Sequence, residues 1–381
     1  MSAEDGPSQL IEPSVPVAEY PLKGQAFDIT VVTLWDRTDS HDELVRIESS
    51  TLASDDTQAF TGGIFVVEEQ ANERGMIFVR RSPMPESRPN ATDRDIQLRK
   101  QGDELSVTLY RAESEDEQDL WQALPFEGGD LGRTMALQIW ERSLRPDSEL
   151  HRVPRFVTNT WGDRSRDSRI TEEFILREID AARSIGADVV RIDDGWQMGL
   201  SGNSAFQGEM KTEGLTGFWG VSNEFWEVHP ERFPNGLGPV LDRAKEAGVE
   251  IGLWYAPDSD NELANWEKDA DQIVSLYKKY GVRFFKIDGL DVVSPLAQER
   301  IHQLLDRVRD ASDSQVLLMI DITGNHKRPG FLGAIGEGNL FVQNRYTDWG
   351  KYWPHRTLRS LWRLSHWVDP GRLRFEILNN Q

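Results

Sequence analysis

Two rhythms of apolar residues divide the chain. Between residues 26 and 130, short runs alternate apolar with polar positions and are separated by turn residues: FDITVVTLW, DELVRIESS, GGIFVVEEQ, GMIFVRRS and DELSVTLYR. A period of two without a helical stripe predicts strands, and hence an all-β, sandwich-like domain over 26–150. Residues 1–25 are polar and proline-rich and read as a flexible lead-in. The segment Gly132–Arg145 predicts a linking helix, and Pro146 and Pro154 mark the boundary behind it.

From Phe156 the rhythm changes. FVTNTWG, ADVVRIDDGW, VEIGLWYAP, VRFFKIDG, QVLLMIDITG, NLFVQNRYTDW and RLRFEILNN are seven apolar runs with helical patterns between them. Ile175, Ile179, Ala182 and Ile185 share one helical face. Thr171 can cap that helix, and Glu172 and Glu173 suit the positive end of its dipole. Gly186, Gly248 and Gly281 mark recurring helix–glycine–strand junctions. Buried parallel strands alternating with helices predict an α/β fold over 151–381. Its expected form is a TIM-type (β/α)8 barrel whose active site lies at the C-terminal strand ends. Seven strands are readable where closure needs eight, so the barrel is expected to be incomplete, truncated at its C-terminal side, poorly active and prone to associate. The long stretch Gly199–Asn235, rich in aromatics, reads equally as an active-site wall or as an excursion packed on itself.

Composition narrows the function classes. Lys and Arg total 43 against 64 Asp and Glu, giving a net charge of −21 over 381 residues. Phosphate backbones and anionic lipid would repel such a chain, so neither nucleic acid nor membrane is an expected partner. Only 10 of the cations are Lys, a balance that suits adaptation to salt or simply an acidic enzyme. The absence of cysteine excludes disulfides, thiolate metal sites and a cysteine nucleophile. No apolar run reaches the roughly 20 residues of a membrane span. The first residues lack the pattern of a signal peptide, and a cytoplasmic location is expected. Thirteen Trp provide rigid faces that suit cores and sugar rings alike.

The strand ends collect the candidate chemistry: Trp161 and Asp163; Asp193, Asp194 and Trp196; Trp254, Asp258 and Asp260; Lys286 and Asp288; Asp321; Arg345 and Asp348. One reading is glycoside hydrolysis, which uses two carboxyl groups across the scissile bond, with polar groups and Trp for the sugar. Another is divalent-metal chemistry of an isomerase or lyase, with Asp258, Asp288 and Asp321 as oxygen ligands. A third is a non-catalytic carbohydrate-binding fragment.

The motif RIDDGWQ (Arg191–Gln197) on the second strand, together with FFKIDG (Phe284–Gly289) on the fourth, resembles the melibiase-like α-galactosidases of glycoside hydrolase family 36 and the related family 27. VTNTWGD, NRYTDW and YWPHRTLRSLW extend the resemblance over about 156–381. It implies a retaining enzyme that releases terminal α-galactose from α-galactoside oligosaccharides by double displacement, without metal or organic cofactor. Transfer to a sugar acceptor, as in raffinose-type synthases, is the neighbouring alternative. On this resemblance Asp288 is the nucleophile. Lys286 shares its strand face and contacts sugar hydroxyls. Asp193 and Asp194 bind O4 and O6, and Trp161 and Trp196 line the pocket. Trp254 suits pocket or core. Asn344–Asp348 departs from the S-D-x-x-D stretch of family 36. On the family 27 pattern Arg345 contacts O2 and Asp348 is the acid/base, with Asp321 as the alternative. DITGNHKRPG departs from the Gly-Gly-x-Arg motif and leaves Arg328 a weaker candidate for substrate contact.

Overall fold

The computed structural model of the chain describes residues 11–116, 120–163, 165–324, 326–336, 338–342 and 354–375. Its N-terminal part is two stacked antiparallel sheets. The five-stranded sheet runs Trp121–Glu127, Arg74–Arg80, Ile64–Glu69, Phe27–Leu34, Val45–Leu52. The four-stranded sheet runs Ser14–Lys23, Glu104–Ala112, Ile96–Gln101, Asp56–Phe60. Alternation in the larger sheet serves two cores at once. Phe27, Ile29, Val31, Phe65, Val67 and Phe78 meet Leu98, Leu105, Val107 and Leu109 of the smaller sheet. The alternate residues Val32, Leu34, Ile64, Val66, Ile77 and Val79 join the core shared with the α/β part.

The flexible lead-in expected over 1–25 does not hold for residues 11–23. Ser14–Lys23 is a ten-residue strand paired along Glu104–Ala112. It lies at the edge of its sheet. Pro16 and Pro21 are therefore tolerated, because an edge strand leaves one side of its backbone unpaired.

The linking helix spans Gly129–Ser143. Beyond it, all seven apolar runs form strands of one parallel sheet in chain order: Val157–Asn159, Val189–Ile192, Glu250–Tyr255, Phe284–Ile287, Leu317–Asp321, Asn339–Phe341 and Leu373–Arg374. This is an open half-barrel. Among the described residues, the first and seventh strands form its edges. Helix Glu172–Ser184 begins as its sequence predicts, with the Thr171 hydroxyl accepting from the Phe174 amide at 3.2 Å. The junction residues Gly186, Gly248 and Gly281 have φ of +76°, +73° and +71°, the left-handed exit that glycine makes cheap.

Two buried polar contacts join the parts. Asp36, at the end of Phe27–Leu34, accepts hydrogen bonds from the amides of Met84 and Phe331. Burial pushes its carboxyl up to about 8. On the linking helix, Glu141 pairs with buried Arg372, while Arg142 and Arg145 pair with Asp369. These pairs hold the approach to the seventh strand. No helix among the described residues is long and apolar enough to cross a membrane.

Candidate active site

Lys286 is the centre of the strand-end rim. Phe284–Ile287 is a buried strand, and its period of two sends Lys286 and, two residues on, Asp288 toward the same side. The ammonium lies 3.3 Å from Asp193 and 3.5 Å from Asp321, one acid from each flanking side of the sheet. It also sits 5.0 Å from the centroid of the Phe341 ring. Burial pulls its pKa down, but Asp193, Asp321 and Asp288 together outweigh burial and hold it above the usual lysine range.

Asp288 occupies a different environment. It keeps 18% side-chain exposure, against 3% for Asp193 and Asp321. Its Oδ1 accepts from the Gly289 amide at 2.8 Å and lies 3.5 Å from an Arg328 guanidinium nitrogen. Its Oδ2 faces the Trp254 indole N–H at 3.5 Å. Its carboxyl is thus open to the rim and held by fixed donors. Arg328, the weaker candidate on sequence grounds, thus sits beside Asp288, with a second anchor on Asp291 at 2.9 Å.

The two acids of the second-strand motif differ. Asp193 faces Lys286 and accepts from the Asp194 amide at 2.9 Å. Asp194 accepts from the Gln197 side chain at 2.7 Å and from the Ser201 hydroxyl. Burial, seconded by Asp167 and Asp193, pushes Asp194 up to about 7 against those two donors. Asp321 is pushed up to about 6 by burial and by Asp288, although Lys286 and Thr323 oppose the rise.

The tryptophans also separate. Trp161 follows the first strand in a 3-10 turn and stays partly exposed. Trp196 is corrected from pocket lining to packing: it has no accessible surface, and its N–H donates to the Trp254 carbonyl at 2.8 Å. Trp254 is buried in the core, and its N–H faces Asp288. The excursion 199–235 puts Phe218, Phe225 and Trp226 into one cluster with Trp196, Trp254 and Tyr255. Through Trp226 this cluster packs against Trp254, whose N–H faces Asp288.

Asp258 does not join the rim acids. It accepts from the Gly217 amide at 2.7 Å, the Thr216 hydroxyl and the Asn265 side chain, and so anchors the excursion. Among the described residues, no group of three or more His, Asp or Glu is arranged to hold a metal ion. The triplet Asp258, Asp288 and Asp321 is thus not assembled. Arg345 and Asp348 lie outside the described residues.

One further cluster escaped the sequence reading. Buried Asp167 accepts from Ser204, the Ala205 amide and Arg232, while Arg232 also donates to the Gly195 carbonyl. Gly195 has φ of +120°, and a Cβ there would meet Asp167 at 2.6 Å and Arg232 at 2.7 Å. Asp167 and Arg232 therefore clamp the turn that presents Asp193 and Asp194. They lie 65 positions apart, so no local spacing could reveal them.

No protein-family model matches the chain. The curated α-galactosidase Mel36A of Lactobacillus acidophilus is 24% identical over 183 residues, which cover 48% of this chain and 21% of Mel36A. The chain is thus similar in sequence to part of an α-galactosidase. α-Galactosidase 2 of Pediococcus pentosaceus is 28% identical over 102 residues, covering 27% of this chain and 12% of that protein. Among solved structures, the GH36 α-galactosidase AgaA from Geobacillus stearothermophilus, in a complex with stachyose, superposes with a TM-score of 0.62 at 14% identity. That match covers 95% of this chain and 56% of AgaA. The chain thus shares its fold with part of AgaA and spans little more than half of AgaA's length.

Proposed function

We propose that the chain carries the catalytic face of a retaining α-galactosidase built on a (β/α)8-type barrel. The observation that carries the reading is Asp288: an accessible carboxylate at a parallel strand end, held by Gly289, Trp254 and Arg328 beside buried Lys286. Asp288 attacks the anomeric carbon of a terminal α-galactoside. The bond to the aglycone oxygen breaks, and Asp348 supplies the proton that oxygen takes. Water then attacks the same carbon and gives a proton to Asp348 while the bond to Asp288 breaks, which releases galactose with its configuration retained. Asp321 is the less suitable acid/base, because its Oδ1 accepts from Thr323 and its Oδ2 faces Lys286.

Asp193, Asp194 and Lys286 bind the galactose hydroxyls, with Arg345 at O2 and Trp161 at the sugar face. Asp193 and Lys286 offer an acceptor and a donor side by side. Asp194 adds a carboxyl whose raised pKa lets it donate as well as accept near neutrality. Support for this substrate class comes from AgaA, substituted forms of which have been crystallised with stachyose and with raffinose.

A slow fluorosugar α-galactoside followed by peptide mass mapping tests the mechanism. The expected adduct is on Asp288, and Asp288→Asn should abolish turnover while sugar binding survives. An adduct on any other residue rejects the assignment.

A further inference from the structure

A cleft of about 580 Å³ opens where the sandwich, the linking helix and helix Pro354–Leu364 meet, and the proposed reaction makes no use of it. We propose that this cleft binds a neutral oligosaccharide at a site separate from the strand ends. The proposal goes beyond the reading of the active site and does not depend on it.

Three indoles line the cleft, and each ring is oriented by a contact of its own. Trp35 stacks on His41 with centroids 4.4 Å apart. The Arg133 guanidinium lies 4.5 Å from the Trp367 ring centroid. Trp362 stands edge-on to His366 at 5.1 Å, and it is 68% exposed. An indole is among the costliest side chains to leave in water, so one this exposed beside a cleft is set for a ligand with an apolar face. The C–H face of a sugar ring is such a face. Rings already held in place lose little freedom on binding.

Charge selects a neutral ligand. The cleft carries Arg46, Arg133 and Arg363, and each faces a carboxylate: Glu48 at 2.8 Å, Asp130 at 2.8 Å and Glu43 at 2.7 Å. Arg359 shares Glu43 at 3.4 Å and Arg356 beside it pairs with Asp42 at 2.7 Å, so each of these guanidiniums already faces a carboxylate that a phosphate or an acidic peptide would have to displace. Each guanidinium has five N–H donors, more than one pair consumes, and the carboxylates keep acceptor sites. Sugar hydroxyls can use both. The volume also falls within the roughly 300–1,000 Å³ of small-molecule sites.

Calorimetric titration with maltotriose tests the proposal, because this neutral trisaccharide has no galactose for the strand-end site to recognise. One saturable site is expected. It should weaken about tenfold or more in Trp362→Ala and likewise in Trp35→Ala, the loss that one stacked ring contributes. Trp362→Ala should melt like the parent chain and act on an aryl α-galactoside at the parent rate. Absence of saturable maltotriose binding overturns the proposal, as does equal binding by both variants. Self-association that Trp362→Ala abolishes, without any effect of the sugar, also overturns it and makes the cleft a contact between copies. If no form turns over the aryl galactoside, the active-site reading fails while the binding result stands.

Discussion

Replacing Lys286 with methionine should destabilise the chain strongly near neutral pH and much less in acid. Methionine keeps most of the side-chain volume and adapts to its surroundings, so the change is chiefly one of charge. Lys286 lies 3.3 Å from Asp193 and 3.5 Å from Asp321, and all three are buried. At an effective dielectric constant of about 20, each contact is worth about 5 kcal/mol of attraction. The desolvation of the ammonium offsets part of this, and removing one partner of a buried pair costs a net 3–5 kcal/mol or so. That is a large share of the roughly 5–15 kcal/mol by which domains are stable. The two orphaned carboxyls can escape the penalty only by taking up protons. Asp321 already titrates at about 6 with the lysine in place, so its proton affinity must rise further without it. Urea denaturation at about pH 8 and about pH 5 measures the difference. The gap between parent and Lys286→Met should shrink by at least about 1.4 kcal/mol on acidification, a tenfold change in the folding constant. A gap below about 1 kcal/mol at the higher pH, or one equal at both, would refute the reasoning.

Three further outcomes are expected. Asp36, Asp194 and Asp269 are raised by burial to about 8, 7 and 7. A raised folded pKa gives stability that is complete below the unfolded value and lost as pH climbs through the folded one, so thermal stability should fall between about pH 4 and pH 8, and a melting curve flat across that window would contradict the burial. Arg232→Met should cost about 3–5 kcal/mol, because it leaves Asp167 buried without its cation, and it should raise KM for an aryl α-galactoside more than it lowers kcat; an unchanged KM would show that the clamp does not position the acid pair. Activity on that substrate should survive EDTA, whereas loss that Mg²⁺ restores would turn the chemistry toward a metal-dependent reaction.

The half-barrel was legible because its strands are continuous apolar runs buried on both faces, a pattern that polar excursions cannot imitate. Ser14–Lys23 was hidden because its two prolines look like loop chemistry, and only the edge position makes them compatible with a strand. At the site, Lys286 and Asp288 could be placed together from a two-residue spacing, which is local. Trp196 could not be sorted from Trp161 or Trp254 by sequence. An indole suits a sugar and a core equally, and the excursion that buries Trp196 returns from 30 residues downstream, at Trp226. The Asp167–Arg232 clamp is invisible for the same reason: its partners meet only after the excursion folds back. The acid/base expected at Asp348 and the O2 contact expected at Arg345 lie outside the described residues.

The rim resolves a difficulty that its sequence raises. Four carboxyls, Asp193, Asp194, Asp288 and Asp321, crowd near two cations, Lys286 and Arg328. Were all four ionised, their repulsion would oppose folding. Burial divides them instead. Asp194 and Asp321, sealed from water, are raised to about 7 and about 6 and shed part of their charge near neutrality. Asp193 is matched by Lys286 at 3.3 Å, and Asp288 by Arg328 at 3.5 Å. The outcome is near balance, with one carboxylate, Asp288, both paired and accessible. Arg328 touches it at the outer limit of an ion pair, while its other nitrogen is committed to Asp291 at 2.9 Å. Asp288 is therefore paired, but not held so tightly that the proposed attack on a sugar carbon would first have to break a close salt bridge. Shortening that contact, by removing the competing Asp291, should slow a nucleophilic Asp288 and leave a merely structural one unaffected.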